Sequence, residues 1–417
     1  MSQPSPSVAV VRYWPLVLAA TAMMMITMGA RQSLGLFMQP IARDTGIGIA
    51  AISFALAVGQ FVWGAVQPVF GAIADQRGSG RVLVAGGLLL FSGMAMAPLF
   101  ASDWGLLLTL GLVSAAGAGA GSFSILIGAT ARELPAERRS MASGVINAGG
   151  SFGQFLYAPF AQTMIGAFGW MAAMWAMALT PLATLPLAWP LPRRKAAAVV
   201  GGAAAGPAAD DIGLRQQLRI ALRDRSYWCL HLGFLTCGFH IAFLVTHLPT
   251  EIATCGLSPN VSAISLALIG LFNIAGSIGT GWLGNRFRMK WLLTLIYASR
   301  ALIIGLYLLS PPTPMVFFAF SAALGMTWLA TVPPTAGLVG KLFGPRYLGT
   351  LFGLTLLSHQ TGAFFGAWLG GLAIEHLGSY TWMWYADMVL ALLAAAINLP
   401  IREARLQSAA PAPAAAH

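Results

Sequence analysis

Residues 14–40 read WPLVLAATAMMMITMGARQSLGLFMQP, and Arg31 is the only charged residue among them. At 1.5 Å per residue this stretch extends about 40 Å, more than the roughly 30 Å of hydrocarbon in a bilayer. The run therefore predicts a membrane-crossing helix that keeps one permanent cation inside. It is too long for the apolar core of a signal peptide, and no small-residue cleavage pattern follows it, so it is expected to be retained.

The rest of the chain repeats the pattern. Apolar stretches of crossing length run 14–40, 49–74, 81–101, 104–131, 140–166 and 169–191, then 226–251, 259–284, 290–310, 313–340, 347–374 and 378–400. Barrel strands would be about ten alternating residues, so these are helices. With 58% hydrophobic and 8% charged residues, the composition lies far from the roughly 25% charged of a soluble domain. The expected fold is an all-α membrane protein of twelve transmembrane helices in two six-helix pseudo-repeats. Residues 1–191 form one bundle, 192–225 an Ala, Gly, Pro and charge-rich linker, and 226–417 the second bundle with a short tail.

Of the 23 Lys and Arg residues, 20 fall in the tails, the linker and every second loop. The positive-inside rule assigns that side, with both termini, to the cytoplasm of a cytoplasmic (inner or plasma) membrane. The net charge of +11 is thereby matched to anionic lipid headgroups, which excludes nucleic acid as the implied partner. Arg43 lies on the opposite side, and Arg31 and Arg300 lie within spans. Cys229, Cys237 and Cys255 are odd in number and lack ligand spacing, so neither a disulfide framework nor a metal site is expected. No GxxxxGK[ST] loop or HExxH pair exists in the sequence, so no nucleotide cofactor, zinc chemistry or enzyme activity is expected.

At an offset of 209, Gly29 matches Gly238, Pro40 matches Pro249, Gly144 matches Gly353 and Gly153 matches Gly362; at 210, Gly71 and Asp75 meet Gly281 and Asn285. The ordered agreement indicates a duplicated six-helix unit. Parallel repeats of this kind place a binding site between the halves near the midplane. Small residues one turn apart allow the close helix contacts that rocking requires, as at Gly362, Gly366 and Gly370 and at Gly117 and Gly121.

The stretch Gly71-Ala72-Ile73-Ala74-Asp75-Gln76-Arg77-Gly78, with Arg81 beyond it, resembles the loop signature of the major facilitator superfamily. Gln76, Ser79 and Gly80 stand where that family has basic residues. The resemblance implies that Asp75 acts as a gate with Arg132 at one membrane face. A narrower resemblance is to bacterial monocarboxylate and oxalate/formate carriers. It rests on Gly29-Ala30-Arg31-Gln32-Ser33-Leu34-Gly35-Leu36-Phe37 and on Ser358-His359-Gln360-Thr361-Gly362 with Gly366 and Gly370. It implies that Arg31 handles anion and proton. The arginine that such carriers have in the eighth helix is absent, since Asn273-Ile274-Ala275-Gly276-Ser277-Ile278-Gly279 holds no cation.

Charge inside the membrane is costly and marks either a wet cavity or a partner. Arg31 cannot be neutralised, and its planar fork matches a carboxylate, so it is the expected anion ligand; a gate or a bond to backbone carbonyls is the structural alternative. Arg300, ten residues into the ninth span, either pairs with Asp387, read as the one acid within a span, or turns inward as a second clamp. His240 and His359 are the candidate proton carriers, with Asp387. His240 and His247 share a helical face and His231 points away; His231 and His376 are assigned to membrane edges. Asn147, Tyr157, Asn273, His359 and Gln360 are expected to shape the substrate site, with Gln60, Gln154 and Trp328 as further candidates. The pattern predicts a monomeric secondary transporter for a small organic anion, foremost a monocarboxylate, by proton symport. Anion exchange comes second, followed by export of hydrophobic compounds and by a sensor that kept the fold.

Overall fold

The computed structural model describes residues 6–131, 133–134, 136–189, 191, 213–284, 286–344 and 347–403. Among the described residues, ten helices are long and apolar enough to cross a membrane. They are α1 (Trp14–Thr45), α2 (Ile49–Ala74), α3 (Ser79–Met96), α4 (Asp103–Thr130), the double helix Met141–Leu187, α7 (Arg225–Thr254), α8 (Pro259–Leu283), α9 (Met289–Leu308), α10 (Pro314–Phe343) and α12 (Thr381–Asn398). Met141–Leu187 divides into α5 and α6 at Gly169, whose φ of 77° no other residue type adopts readily. α11 (Leu348–Leu377) completes the twelve, with Ser358, His359, Gln360 and Thr361 at its centre. The bundle is all helical and multi-pass, in two halves of six.

Two of the interrupted spans, α1 and α10, bear on the site. The regular turns of α1 stop at Gln32, tighten into a 3₁₀ turn over Leu34–Phe37 and resume at Met38. The turn lies where Gly35 presses on the backbone of Val245 and Thr246 in α7. α10 breaks between Thr327 and Val332, because Pro333 and Pro334 cannot donate the N–H groups that would continue the helix.

Two of the residue pairs that betray the repeat, Gly29 with Gly238 and Gly153 with Gly362, are matching contacts. In the first half, a Cβ on Gly29 of α1 would strike Tyr157 and the Gly153 carbonyl of α5, and one on Gly153 would strike the Met25 carbonyl. In the second half, a Cβ on Gly238 of α7 would strike the His359 carbonyl of α11, and one on Gly362 would strike the Leu235 carbonyl. Each half is thus held by backbone-to-backbone approach of its first and fifth helices, the contact small residues permit in lipid.

On the side of the cationic loops, called the basic face below, the linker contains an amphipathic helix, Leu214–Arg223, which the expected linker did not include. Asp224 caps α7 by accepting from the Tyr227 N–H at 3.0 Å and also accepts from Arg402. Glu403 accepts from Lys341 at 2.8 Å and from the Met289 N–H at 2.9 Å. The chain after α12 is thereby tied to α7, α9 and α10.

The halves close against each other away from the basic face. The Ala50 N–H of α2 donates to the Glu375 carboxylate of α11 at 2.7 Å, Gly371 abuts Ser53, and Gly64 abuts Gln360. Phe54 packs edge-on to Phe364 and Trp368 at 6.1 and 5.8 Å. α5 and α8 meet at Ser151 and Gly270. Toward the basic face, Gly71 of α2, Gly128 of α4, Gly144 of α5, Gly279 of α8 and Gly353 of α11 face open space. The contacts named between the halves thus lie on the far side and at mid-membrane.

Replacement Gly362→Val forces a branched side chain into the α7 backbone, and overpacking of this kind costs about 1–3 kcal/mol. The purified protein should melt several degrees lower, whereas Gly353→Ala, which meets open space, should melt with the wild type. Equal melting of all three by intrinsic fluorescence would contradict the contact.

Candidate functional site

A small cavity of about 30 Å³ lies where α1, α2 and α4 of the first half meet α7 of the second. Arg31, Gln60, Ser114 and Thr246 supply its polar wall, and Leu34, Leu56, Ala115, Ala118 and Val245 its apolar one. Gly35 and Gly59 also line it.

Arg31 stands in the last turn of regular α1, immediately before the 3₁₀ stretch, and so projects where the helix presses on α7. The guanidinium donates from Nη2 to the Gln60 side-chain carbonyl and lies over the Trp63 ring, 4.3 Å from its centroid. Gln60 and Trp63 are one turn apart on α2, so both reach the same point. Among the described residues no carboxylate lies within ion-pair distance of Arg31. A neutral amide and a ring face steady the cation and leave its charge uncompensated. Such a group receives an anion with two oxygens readily.

Gln360 lies across the half boundary from this cluster, against Gly64, one turn beyond Gln60. Its amide nitrogen bonds His359 Nδ1 at 3.1 Å, and its carbonyl oxygen is buried with no partner in the structure. His359 is buried beside Phe234, ring centroids 4.8 Å apart. These two residues thus face the cavity cluster from α11 without lining the cavity itself.

His240 and Asp387 are joined within the second half, Nδ1 to Oδ2 at 2.6 Å, both at 1% exposure or less. His240 Nε2 and Asp387 Oδ1 are buried without partners. Asp387 is therefore engaged by His240, and the expected Arg300–Asp387 pair does not form. Arg300, also buried, donates to the backbone carbonyls of Thr327 and Trp328, the latter at 2.6 Å, at the α10 break. Those carbonyls carry the negative end of the first α10 segment, which is what the cation answers. Arg300 is neither turned to Asp387 nor among the residues lining the cavity, and its Nε and Nη1 are buried without partners in the structure.

The remaining expectations scatter. Asn147 is half-buried on α5, on the face of Ser151 and Gln154; Gln154 is buried with neither polar atom bonded. Tyr157 is buried against Gly29 and stacks edge-on to Phe160 at 6.3 Å. Asn273 is fully engaged, donating to Ser151 and accepting from Ser277 and from the Leu329 N–H. His231, expected at a membrane edge, is buried and bonded to Ser358 at 2.6 Å. His247, on the face shared with His240, bonds Tyr380 and donates to the Ala367 carbonyl. The side chains of Asp75 and Arg132 lie outside the described residues.

Three contributors carry no charge pattern that would mark them beforehand. Trp63 is one aromatic among many in α2. Glu375 closes the far side and sits at the end of α11. Glu251 is a second acid within a span, where Asp387 was read as the only one: α7 continues to Thr254, and Glu251 accepts from Tyr307 at 2.7 Å and Trp384 at 3.2 Å.

The Major Facilitator Superfamily profile matches residues 20–367. Monocarboxylate transporter 13 of Bos taurus is 26% identical over 376 residues, covering 88% of this chain and 84% of that protein. The oxalate:formate antiporter of Oxalobacter formigenes is 23% identical over 381 residues, covering 88% and 86%. The crystal structure of a D-xylose-proton symporter superposes with a TM-score of 0.71 at 14% identity, covering 94% of this chain and 98% of that one.

The far-side closure is testable without any substrate. Removing the Glu375 carboxylate frees the Ala50 N–H, and a lost charged hydrogen bond of about 1.5 kcal/mol changes an equilibrium roughly tenfold. Glu375→Leu should therefore speed labelling of a Ser53→Cys thiol by a membrane-impermeant maleimide. Unaltered labelling would show that Glu375 does not hold the gate.

Proposed function

We propose that this chain, which belongs to the Major Facilitator Superfamily, carries a small organic anion, foremost a monocarboxylate, across the membrane by alternating access. The observation that carries the reading is Arg31: a permanent cation at the cavity between the halves, steadied by neutral Gln60 and Trp63 and paired with no carboxylate among the described residues. A carboxylate fits its fork, while the apolar wall from Leu34, Leu56 and Val245 takes a short carbon chain. The relatives named for monocarboxylates and for oxalate and formate support that substrate class.

The mechanism follows from electrostatics. An unpaired guanidinium resists being enclosed between two closing halves, because low dielectric raises its cost. A bound carboxylate halves that burden by neutralising it, so the loaded cavity closes more readily than the empty one. By the positive-inside rule the basic face is cytoplasmic, and the Glu375–Ala50 contact then seals the outside.

Proton symport is assigned to the His240–Asp387 pair, a buried donor and acceptor with one free atom each. Protonation of the pair on one side and release on the other would couple the gradient to the rocking of α7 against α12. Exchange of one anion for another is the second reading, favoured because Arg31 is the sole titratable side chain among the cavity's lining residues. In that case no proton need move.

Two measurements in proteoliposomes separate these possibilities. Arg31→Ala should raise the KM for L-lactate about tenfold to a hundredfold, the loss expected for a charge-assisted pair. Arg31→Lys should fall between it and wild type, and normal uptake by Arg31→Ala would remove the anion site. Asp387→Asn should abolish uptake driven by a pH gradient while lactate counterflow persists. Gradient-driven uptake absent from the wild type, with counterflow present, would establish exchange.

A further inference from the structure

The α10 break exposes backbone groups in the middle of the membrane, where each unsatisfied one costs several kcal/mol. Three neighbouring helices supply partners. From α9, Arg300 donates to the Thr327 and Trp328 carbonyls. From α7, Cys237 Sγ lies 3.3 Å from Thr331 Oγ1 and 3.9 Å from the Trp328 carbonyl. From α8, Asn273 Oδ1 accepts from the Leu329 N–H at 3.0 Å.

Asn273 differs from the other two in what else it holds. Its Nδ2 donates to Ser151 Oγ of α5 at 2.8 Å, so the same side chain touches the break and the opposite half. Among the described residues only two hydrogen bonds join the halves, this one and the Glu375 contact at the far end. Asn273 is 1% exposed, and Ser277 one turn on donates to its Oδ1 at 3.1 Å, fixing the amide's orientation. The first segment of α10 is clamped to α8, because a Cβ on Gly276 would strike the Met326 carbonyl and one on Gly325 would meet Ile269 and Phe272. The second segment, Val332–Phe343, carries Lys341 at the basic face and follows the break.

We infer that Asn273 is a positioning residue that couples the contact between the halves to the bend of α10, so that parting α5 from α8 changes the set of the second α10 segment. It acts through Ser151 and Leu329 and holds no substrate atom. A small residue at the break could flex freely; a side chain bonded to both bodies makes the bend follow the rocking.

The test uses the full-length protein in lipid nanodiscs, with spin labels on Gly144→Cys in α5 and Lys341→Cys in α10, and with Cys229 and Cys255 replaced by serine. Distances are read by electron–electron double resonance with no substrate added, so the result does not depend on the assigned cargo. Ser151→Ala, a small change that leaves the Leu329 bond intact, and Asn273→Leu should each shift the ratio of the two distance populations by about threefold to tenfold, the worth of one buried hydrogen bond. The double variant should shift it no further, since both changes cut one link. Unshifted populations in both single variants, or additive shifts in the double, would overturn the coupling. In L-lactate uptake the coupling lowers maximal rate at constant KM; a raised KM at constant maximal rate for Asn273→Leu would make Asn273 a substrate ligand instead.

Discussion

A guanidinium that cannot shed its proton, held where α1 meets α7, is the constraint around which the molecule is organised. Burying such a charge without a counter-ion is among the most expensive acts in a membrane. The chain meets the cost only in part, with the carbonyl of Gln60 and the face of Trp63. The second buried arginine makes an instructive contrast. Arg300 is spent on two carbonyls at a helix break, a fixed structural partner, whereas Arg31 stands at a cavity with its charge uncompensated. The difference between the two is why the proposed anion site is assigned to Arg31.

Around that charge the two halves are built alike but loaded differently. Gly29 with Gly153, and Gly238 with Gly362, make equivalent contacts between first and fifth helices of each half. Within this common frame the first half places its cation at the cavity, while the second buries a histidine and an acid against each other in its interior. In the proposed mechanism charge recognition and the titratable pair thus fall in different halves, and motion of one half against the other links them.

Much of this was legible in the residues. The twelve spans and the bundle class follow from apolar run lengths, and two pairs at an offset of 209, Gly29 with Gly238 and Gly153 with Gly362, fell on real contacts because close helix approach demands glycine at corresponding depths. Arg31 and Gln60 were recognisable because a charge and an amide are conspicuous among Leu, Ala and Met. The partner of Asp387 was not legible. It depends on how α12 rotates against α7, and the periodicity of an almost uniformly apolar helix says little about rotation. The same holds for Asn273, whose role is set by the α10 break, and for Glu251, whose placement turned on where α7 ends. Residues named from polarity alone, Asn147 and Tyr157 among them, lie on α5, whereas the cavity is lined from α1, α2, α4 and α7.

The most direct test of the central claim compares an anion with its uncharged counterpart on the purified protein. A ligand that binds the folded state raises apparent stability according to its concentration and affinity. Melting curves should shift upward with L-lactate and remain in place with lactamide, which keeps the shape and loses the charge; with Arg31→Gln neither compound should move the curve. An equal shift by lactamide, or an undiminished lactate shift in Arg31→Gln, would contradict an account founded on that cation.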